Sequence, residues 1–329
     1  MARLARWHPR LVFLALLAWS SASLAEMPAS LPTIAPAQDA SQSSGLPIYR
    51  STVSEVRVAF FATGVNNRPV DNLTQTDFAV LDDERVVRSF RSFAHSEEAP
   101  LDIVVLVDLS ESAAPRFRVA MNNVLQLASR EQSNSEDHFA VISFGGMQPP
   151  ILCASACGGS GTVARLMAAR SGGTTPLFDA LQLAADFILH HGRSGARPVL
   201  ILFSDGNDTI SLHSKREALA AVIEAGAPVY SFDMSASRYE SQGSFFLRQI
   251  SETTGGRYFP PSSYQHFSRK NCAETMLNSV FDDLRASYFV TYALPNYHAG
   301  FHSLHLLPAH NLNLTFHSRN GYYFEHSSH

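Results

Sequence analysis

Three short oxygen-bearing side chains follow an apolar run in the first half of the chain. The segment Ile103 to Val107 is entirely apolar, and Asp108, Ser110 and Ser112 come after it at alternate positions. Carboxylate and hydroxyl oxygens suit hard divalent cations such as Mg²⁺ and Mn²⁺. Because open α/β sheets bind ligands at the carboxyl ends of their strands, the pattern predicts a cation site where this strand ends.

Asp-x-Ser-x-Ser by itself also fits an ordinary strand-to-helix turn in which one side chain caps the helix. Two later stretches favour the metal site. Thr175 stands before Pro176, a residue typical of the first turn of a helix, and Asp205 ends a second apolar strand that starts at Val199. The predicted ligand set therefore comes from three separate segments and comprises Asp108, Ser110, Ser112, Thr175 and Asp205.

The central part of the chain, residues 98–286, alternates apolar strand-like runs with amphipathic helical segments. Strand and helix in alternation predict a doubly wound, Rossmann-like α/β fold with a mostly parallel sheet and helices on both faces. The predicted strands are Ile103 to Val107, His138 to Phe144, Ile151 to Cys153, Pro198 to Phe203, Val229 to Phe232 and Arg257 to Phe259.

The flanking segments, residues 48–97 and 287–325, show strand patterns. Ser54 to Phe61 alternates apolar and polar residues, while Phe78 to Leu81 and Val86 to Phe93 resemble a hairpin. A β segment this short does not easily bury its own apolar face. We therefore expect the two flanks to pair into one sandwich-like accessory module, from which the central domain projects.

The first 25 residues have the composition of a secretory signal peptide. Arg3, Arg6 and Arg10 precede the apolar run Leu11 to Trp19, and small residues follow up to Ala25. An uncleaved anchor is the alternative, although the run is short for a membrane span. Cleavage would change the net charge from -4 to about -7 by removing three arginines. We expect an exported protein that is periplasmic, cell-surface or secreted.

Residues 26–47, rich in Ala, Pro, Ser and Gln, are expected to be a disordered linker. Residues 326–329 form a short tail in which His326 and His329 are expected to be exposed. The basic residues are scattered, so no nucleic-acid-binding surface is indicated.

Three cysteines suit an oxidising compartment. Cys153 and Cys157 are close enough to form a disulfide across a small loop, which leaves Cys272 single. Cys272 is equally able to pair with one of them. A metal site at the cysteines is disfavoured because no histidine lies beside them at ligand spacing.

Asp108, Ser110, Ser112, Thr175 and Asp205, in this chain order, resemble the metal-ion-dependent adhesion site of von Willebrand factor A (VWA) domains. The flanking sequences VNNRPVDNLTQTDFAVLDDERVVRSF, SYFVTYALP and RNGYYF resemble bacterial exported "VWFA-related" proteins, often found in acidobacteria. The likeness covers roughly residues 50 to 325. It implies a VWA fold with a Mg²⁺ or Mn²⁺ site, and says little about the biological process.

The resemblance further implies that Ser110, Ser112 and Thr175 coordinate the cation directly. Asp108 and Asp205 then act through waters or as alternating ligands, and a free coordination position accepts an Asp or Glu side chain from a partner protein. Thr174 is the alternative to Thr175.

Three acidic or amide side chains near the predicted ligands are given other roles. Glu111 departs from the family pattern and is expected to be solvated, while Asn207 and Asp208 are expected to form a turn.

The enzyme alternatives fit the sequence less well. A phosphatase of the haloacid dehalogenase type needs a second acid two residues after the nucleophile, where this chain has Ser110. Ser110 as a hydrolase nucleophile would need a positioned histidine, and only His138 or His213 could be nominated, arbitrarily. The sequence therefore favours a non-enzymatic, metal-dependent protein-binding module. A structural scaffold with a vestigial metal site is the main alternative, and a metal-dependent hydrolase or phosphatase is the lesser one.

Overall fold

The computed structural model describes residues 55–96, 99–133, 136–145, 152–154, 157, 159–237, 239–264, 272–295 and 298–324. All of them belong to one compact unit, Thr52–His329. The expected signal peptide, the expected linker and the tail lie outside the described residues.

The described residues form fourteen strands, six α-helices and two short 3₁₀ helices, Ala114–Arg116 and Pro261–Tyr264. The strands are β1 Glu55–Thr63, β2 Phe78–Asp82, β3 Arg85–Val86, β4 Ser92–His95, β5 Leu101–Asp108, β6 His138–Phe144, β7 Leu152–Cys153, β8 Arg197–Ser204, β9 Val229–Asp233, β10 Tyr258–Phe259, β11 Tyr288–Ala293, β12 Gly300–Pro308, β13 Thr315–Ser318 and β14 Gly321–Phe324. The helices are α1 Phe117–Ser133, α2 Ser160–Ala168, α3 Leu177–His191, α4 Lys215–Glu224, α5 Gln242–Thr254 and α6 Cys272–Arg285.

A six-stranded sheet in the order β10-β9-β8-β5-β6-β7 lies at the centre of the molecule. Its strands are parallel except β7, which pairs antiparallel with β6. Successive side chains of β5 point to opposite faces, as the two-residue period of a strand requires. Val105 packs with α1 and α6 on one face, and Leu106 packs with α3, α4 and α5 on the other. The predicted doubly wound α/β fold is confirmed.

Two antiparallel four-stranded sheets, in the orders β13-β1-β11-β4 and β14-β12-β2-β3, form the accessory β module. Each sheet combines strands from both flanks, since β1 pairs with β11 and β13, and β2 pairs with β12. The two sheets share one apolar core that includes Phe60, Val80, Tyr292 and Leu304. The prediction that the two flanks pair into one module is confirmed.

The prediction that Val86 to Phe93 forms the second strand of a hairpin is wrong, because only Val86 belongs to that strand. Pairing with β2 ends at Val86, and the chain then crosses to the other sheet, where β4 pairs with β11. Phe90 and Phe93 turn inward and stack near the ring of Phe78, at centroid distances of 5.5 and 5.6 Å. Burial of these two rings gives the physical reason for the crossing.

Buried arginines join the β module to the α/β domain. The Nη1 atom of Arg197 donates to the carbonyl oxygens of Ser96, at 3.2 Å, and Leu284, at 2.9 Å. Burial lowers the pKa of Arg197 to about 10, so the guanidinium stays charged at neutral pH.

Arg257 makes a second connection, because it donates to Oδ1 of Asp283 at 2.6 Å and to the carbonyl oxygen of Asn67 at 3.3 Å. Together, these two arginines tie α6 to backbone of the N-terminal flank. The domain is therefore packed against the module and does not simply project from it.

His317 lies at the same junction. Its ring stacks on Phe61 with centroids 4.5 Å apart, and its Nε2 atom hydrogen-bonds with the hydroxyl of Thr63 at 3.0 Å. Burial, together with the positive charge of Arg257, lowers the pKa of His317 from 6.5 to about 4. Because the folded-state pKa lies below the unfolded value, the neutral ring contributes stability above pH 6.5 that is lost as the pH falls through about 4.

We predict that His317→Gln makes the protein less sensitive to acid. Glutamine keeps a hydrogen-bonding group for Thr63 but never acquires a charge. Between neutral pH and about pH 4, the wild type should lose up to about 3 kcal/mol more unfolding free energy than this variant, measured by urea unfolding. His305→Gln, at an exposed position of β12, is the control and should follow the wild type. Equal acid losses in all three proteins would contradict the assignment.

Candidate metal centre

Asp108 is the last residue of β5, and hydrogen bonds fix both oxygens of its carboxylate. Oδ1 accepts from the backbone N–H of Ser110 at 2.8 Å, and Oδ2 accepts from the hydroxyl of Ser204 at 2.6 Å. Ser204 ends the neighbouring strand β8, so the parallel pairing of the two strands places these side chains together. The Asp108 side chain is buried, and its orientation is determined by the sheet.

The turn after β5 brings the two serine hydroxyls together. The Oγ atoms of Ser110 and Ser112 hydrogen-bond with each other at 3.1 Å. Ser110 is buried and Ser112 is exposed, so the pair runs from the interior to the surface. Glu111 between them is also exposed, which agrees with the expectation that it is solvated.

A second loop, residues 171–176, packs against this turn. The N–H of Gly172 donates to the carbonyl oxygen of Leu109 at 2.8 Å. Thr175 is only 2% exposed, whereas Thr174 is exposed at the surface. Burial therefore favours Thr175 over Thr174 as the residue that faces the other two loops.

Thr209 links the second loop to a third, which follows β8. Its hydroxyl accepts from the N–H of Thr175 at 2.8 Å, and its own N–H donates to the Thr175 carbonyl oxygen at 2.9 Å. Asp205 opens the third loop, is buried, and accepts from the backbone N–H and side-chain amide of Asn207 at 3.0 and 3.1 Å. All five predicted site residues thus lie on three loops that hydrogen bonds hold together.

Two other acidic side chains near the site, Asp179 and Asp208, have structural roles. Asp208 accepts from the N–H of Phe178 at 3.2 Å and from the hydroxyl of Ser211. Asp179, in the first turn of α3, accepts from the N–H groups of Leu212 and His213. Desolvation acts to raise the pKa of Asp179, but the hydrogen bonds outweigh it, so the pKa is lowered. Both carboxylates therefore bind the third loop to the start of α3.

The electrostatics of the site suit a cation. Burial raises the pKa of Asp108 to about 6, although hydrogen bonds from Ser110 and Ser204 oppose the shift. The negative charge of Asp205 adds a smaller contribution in the same direction, because like charges repel. A divalent cation between the loops would relieve that repulsion, and the hydroxyl oxygens nearby are ligands that Mg²⁺ and Mn²⁺ accept. The donor set therefore fits the expected metal.

Sequence reasoning missed the residues that orient the predicted ligands, namely Gly145, Ser204, Asn207 and Thr209. Ser204 gave a usable signal, as a polar residue at the end of an apolar strand. The sequence indicates only a turn at Asn207, yet its side-chain amide also donates a hydrogen bond to Asp205. Gly145 and Thr209 gave no local signal, because their contacts are with other loops.

Cys153 lies on β7, the edge strand of the central sheet, and Cys157 follows it closely in the chain. Cys153 of β7 forms a disulfide with Cys157. The side chain of Cys272 lies outside the described residues, so its state stays a prediction.

The sequence model of the "von Willebrand factor type A domain" family matches residues 102–270, more than half of the 329-residue chain. The chain belongs to this family. VWA domains are typically protein-interaction or adhesion modules, and they often bind a divalent metal. The finer resemblance to the exported acidobacterial-type subfamily stays a prediction.

Solved structures similar to this VWA protein include an aerotolerance-related membrane protein from Bacteroides fragilis NCTC 9343. The two sequences are 15% identical, the TM-score is 0.39, and the match covers 56% of this chain and 98% of that one. BatB from Bacteroides thetaiotaomicron has 15% identity and a TM-score of 0.38, over 54% and 99% of the two chains.

The pilus adhesin SpaC from Lactobacillus rhamnosus GG, in its open conformation, has 14% identity and a TM-score of 0.42, and the match covers 69% of this chain but only 34% of the adhesin. No curated protein sequence matches the chain. The family assignment rests on the sequence model and not on these distant likenesses.

Within the described part of the chain, every helix is too short or too polar to cross a membrane.

Gly145 allows the turn after β6 to approach the other loops closely. Its φ is +73°, and a Cβ atom there would lie 2.9 Å from the carbonyl oxygen of Thr174 and 3.2 Å from the backbone nitrogen of Ser110. Both neighbours are backbone atoms, so they cannot rotate away as a side chain would.

We predict that Gly145→Ala destabilises the protein more than Gly195→Ala does. Gly195 has a similar φ of +83°, but no atom lies within 4 Å of the Cβ position. The control should lose only the conformational cost of roughly 1–2 kcal/mol, and Gly145→Ala should lose more because it also pushes the loops apart. Equal losses in chemical denaturation would show that the close approach does not matter.

Proposed function

We propose that this VWA protein is an exported, non-enzymatic protein-binding module that holds a divalent cation, Mg²⁺ or Mn²⁺, at the ends of β5 and β8. The observation that supports the proposal is that hydrogen bonds join the three segments that carry Asp108, Ser110, Ser112, Thr175 and Asp205. The N-terminal sequence pattern, Met1 to Ala25, supports export.

In this proposal the hydroxyls of Ser110, Ser112 and Thr175 are the direct ligands. Both carboxylate oxygens of Asp108 accept protein hydrogen bonds, and so do both of Asp205. This arrangement suits carboxylates that act through water or as alternating ligands. When bound, the cation would supply an open coordination position for an Asp or Glu side chain of a partner protein.

The surface around the loops supports a protein partner. Ser112 and Glu111 are exposed, so the site opens to solvent. On the third loop, Ile210 is 57% exposed and Leu212 is 93% exposed. Apolar side chains beside a polar, charged centre are a common composition for a protein-binding surface.

The contacts of Ser110 support a role other than that of a nucleophile. Its hydroxyl hydrogen-bonds with Ser112, and among the described residues no histidine contacts it. A serine nucleophile is activated by an adjacent base, most often a histidine that is itself oriented by a third group. A binding function therefore explains the site with fewer assumptions than a hydrolase does.

We predict that Asp108→Asn abolishes stabilisation by Mg²⁺ without unfolding the protein. The amide oxygen can still accept from Ser110, and loss of a buried charge should leave the metal-free protein at least as stable as the wild type. At a hundredfold excess over Kd, Mg²⁺ should add about 2.7 kcal/mol to wild-type stability, measured by denaturation with Mg²⁺ and with EDTA.

Asp71→Asn, at an exposed position of the β module, is the matched control and should respond to Mg²⁺ as the wild type does. If the wild type does not respond, the metal site is vestigial and the scaffold interpretation replaces the proposal.

We further predict metal-dependent capture of carboxylate-bearing peptides. A peptide library with a central Asp should contain binders that are lost with EDTA and also lost when that Asp is changed to Asn. Ser112→Ala, which removes an exposed candidate ligand, should weaken the same binders. Peptide binding that survives both EDTA and the Asp-to-Asn change would contradict capture through a metal.

A further inference from the structure

A second group of metal-ligating side chains lies in the β module, away from the VWA loops. It combines Asp83, His298, which precedes β12, and His302 within β12, whose ligand atoms all lie within 4.8 Å of one another. Asp82 lies beside them, with its Oδ1 atom 3.8 Å from Nδ1 of His302. Asp82 ends β2, and Asp83 starts the turn to β3. Asp83 and Glu84 have φ values of +47° and +63°, which is the backbone of a tight two-residue hairpin turn. The turn brings both carboxylates to the start of β12.

His302 is completely buried, and one contact indicates which of its ring nitrogens carries a hydrogen. Its Nε2 atom lies 2.9 Å from the carbonyl oxygen of His298. A carbonyl oxygen can only accept, so Nε2 carries the proton and donates it. In the neutral ring, Nδ1 then presents its lone pair, and this is the form of histidine that binds metals.

The Nδ1 atom of His302 faces two carboxylates. It lies 2.9 Å from Oδ2 of Asp83 and 3.8 Å from Oδ1 of Asp82. All three atoms are buried, and none has a hydrogen-bond partner among the described residues. Leaving even one such group unsatisfied is costly, and either a shared proton or a bound cation would satisfy these atoms.

The other oxygen of each carboxylate is held by the protein. Oδ1 of Asp83 accepts from the N–H of Ser303 at 2.9 Å. Oδ2 of Asp82 accepts from the hydroxyls of Tyr292 and Tyr322, each at 2.7 Å. Anchored outer oxygens that leave the inner ones free are typical of carboxylates oriented for a metal.

His298 supplies a further nitrogen. Its Nε2 atom lies 3.8 Å from Oδ2 of Asp83, and its ring stacks on that of His302 with centroids 4.0 Å apart. Its side chain is 47% exposed, so it can adjust its position when a ligand enters.

An ion pair between a protonated His302 and Asp83 is the ordinary alternative. The distance between Nδ1 and Oδ2 of Asp83 is within ion-pair range, but Nδ1 makes no aligned hydrogen bond with the residues described. Two ligand atoms that share Zn²⁺ at about 2.0–2.2 Å each stand about 3–3.5 Å apart. The 2.9 Å separation of Nδ1 and Oδ2 is close to that range.

We propose that Asp82, Asp83, His298 and His302 form a structural site for a divalent transition metal of the Zn²⁺ class. Two imidazole nitrogens with carboxylate oxygens favour Zn²⁺ over Mg²⁺, which prefers oxygen ligands alone. The site joins the N-terminal hairpin to a C-terminal strand, across a sequence separation of 220 residues at the Ser303–Asp83 bond. The metal would therefore fasten together the two ends of the chain that flank the VWA domain.

The test is Zn²⁺ binding to the full chain, measured by calorimetry and by metal analysis after dialysis. All proteins carry Asp108→Asn, His326→Ser and His329→Ser, so neither the VWA loops nor the tail histidines contribute. The parent should bind one Zn²⁺. His298→Gln, at an exposed side chain, should lower the affinity more than about tenfold.

His305→Gln, at an exposed position on β12, is the matched control and should keep the parent affinity. Co²⁺ should give a visible d–d absorption in the parent and in the control, and a changed spectrum in His298→Gln. Zn²⁺ should also raise the unfolding temperature of the parent. No bound Zn²⁺ in the parent, or equal affinity in the two histidine variants, would overturn the proposal and leave the ion pair. These outcomes do not depend on Mg²⁺ binding at the VWA loops.

Discussion

The register between β5 and β8 is the constraint on which the VWA site depends. Val107 pairs with Phe203, so the strands end side by side and Asp108 meets Ser204. Side chains alternate between faces along a strand, so a slip of one residue would turn both strand ends away from their present partners. The apolar runs of both strands are buried between two helical layers, and this burial excludes such a slip. The 2.6 Å bond at Asp108 therefore follows from packing along the whole of β5 and β8.

The loops at this edge are held by polar contacts rather than by apolar packing. Leu109 and Gly172 join the first loop to the second, and Thr175 and Thr209 join the second to the third, through hydrogen bonds of 2.8–2.9 Å. Gly145 lets a further turn approach closely. The result is a rigid frame around two mutually repelling carboxylates. Like charges close together at a buried site repel, and a bound divalent cation would offset that repulsion.

The two candidate metal sites differ in donor chemistry and in place. The VWA loops offer hydroxyl and carboxylate oxygens in an opening at the surface, which suits a labile hard cation that also contacts a partner. The β module offers imidazole and carboxylate groups around a buried histidine, which suits a tightly held metal with a structural role. Arg197 and Arg257 connect the two halves of the molecule, because each binds α6 or its end and also the backbone of the N-terminal flank.

The fold class and the ends of the central strands can be read from the amino-acid sequence alone. Continuous apolar runs separated by amphipathic helices leave few arrangements other than a doubly wound sheet, and polar residues directly after such runs must lie at its edge. Asp108 and Asp205 end such runs, and Ser110 and Ser112 follow closely, whereas Thr175 is indicated by its place before Pro176. The role of all five as ligands stays a prediction.

The folded chain is needed to find the contacts between loops, the crossing of residues 87–91 to the other sheet, and the grouping of Asp82 and Asp83 with His298 and His302. These depend on pairings between residues that are far apart in the chain. Local periodicity carries no information about such partners, or about which buried atoms are left without a hydrogen bond.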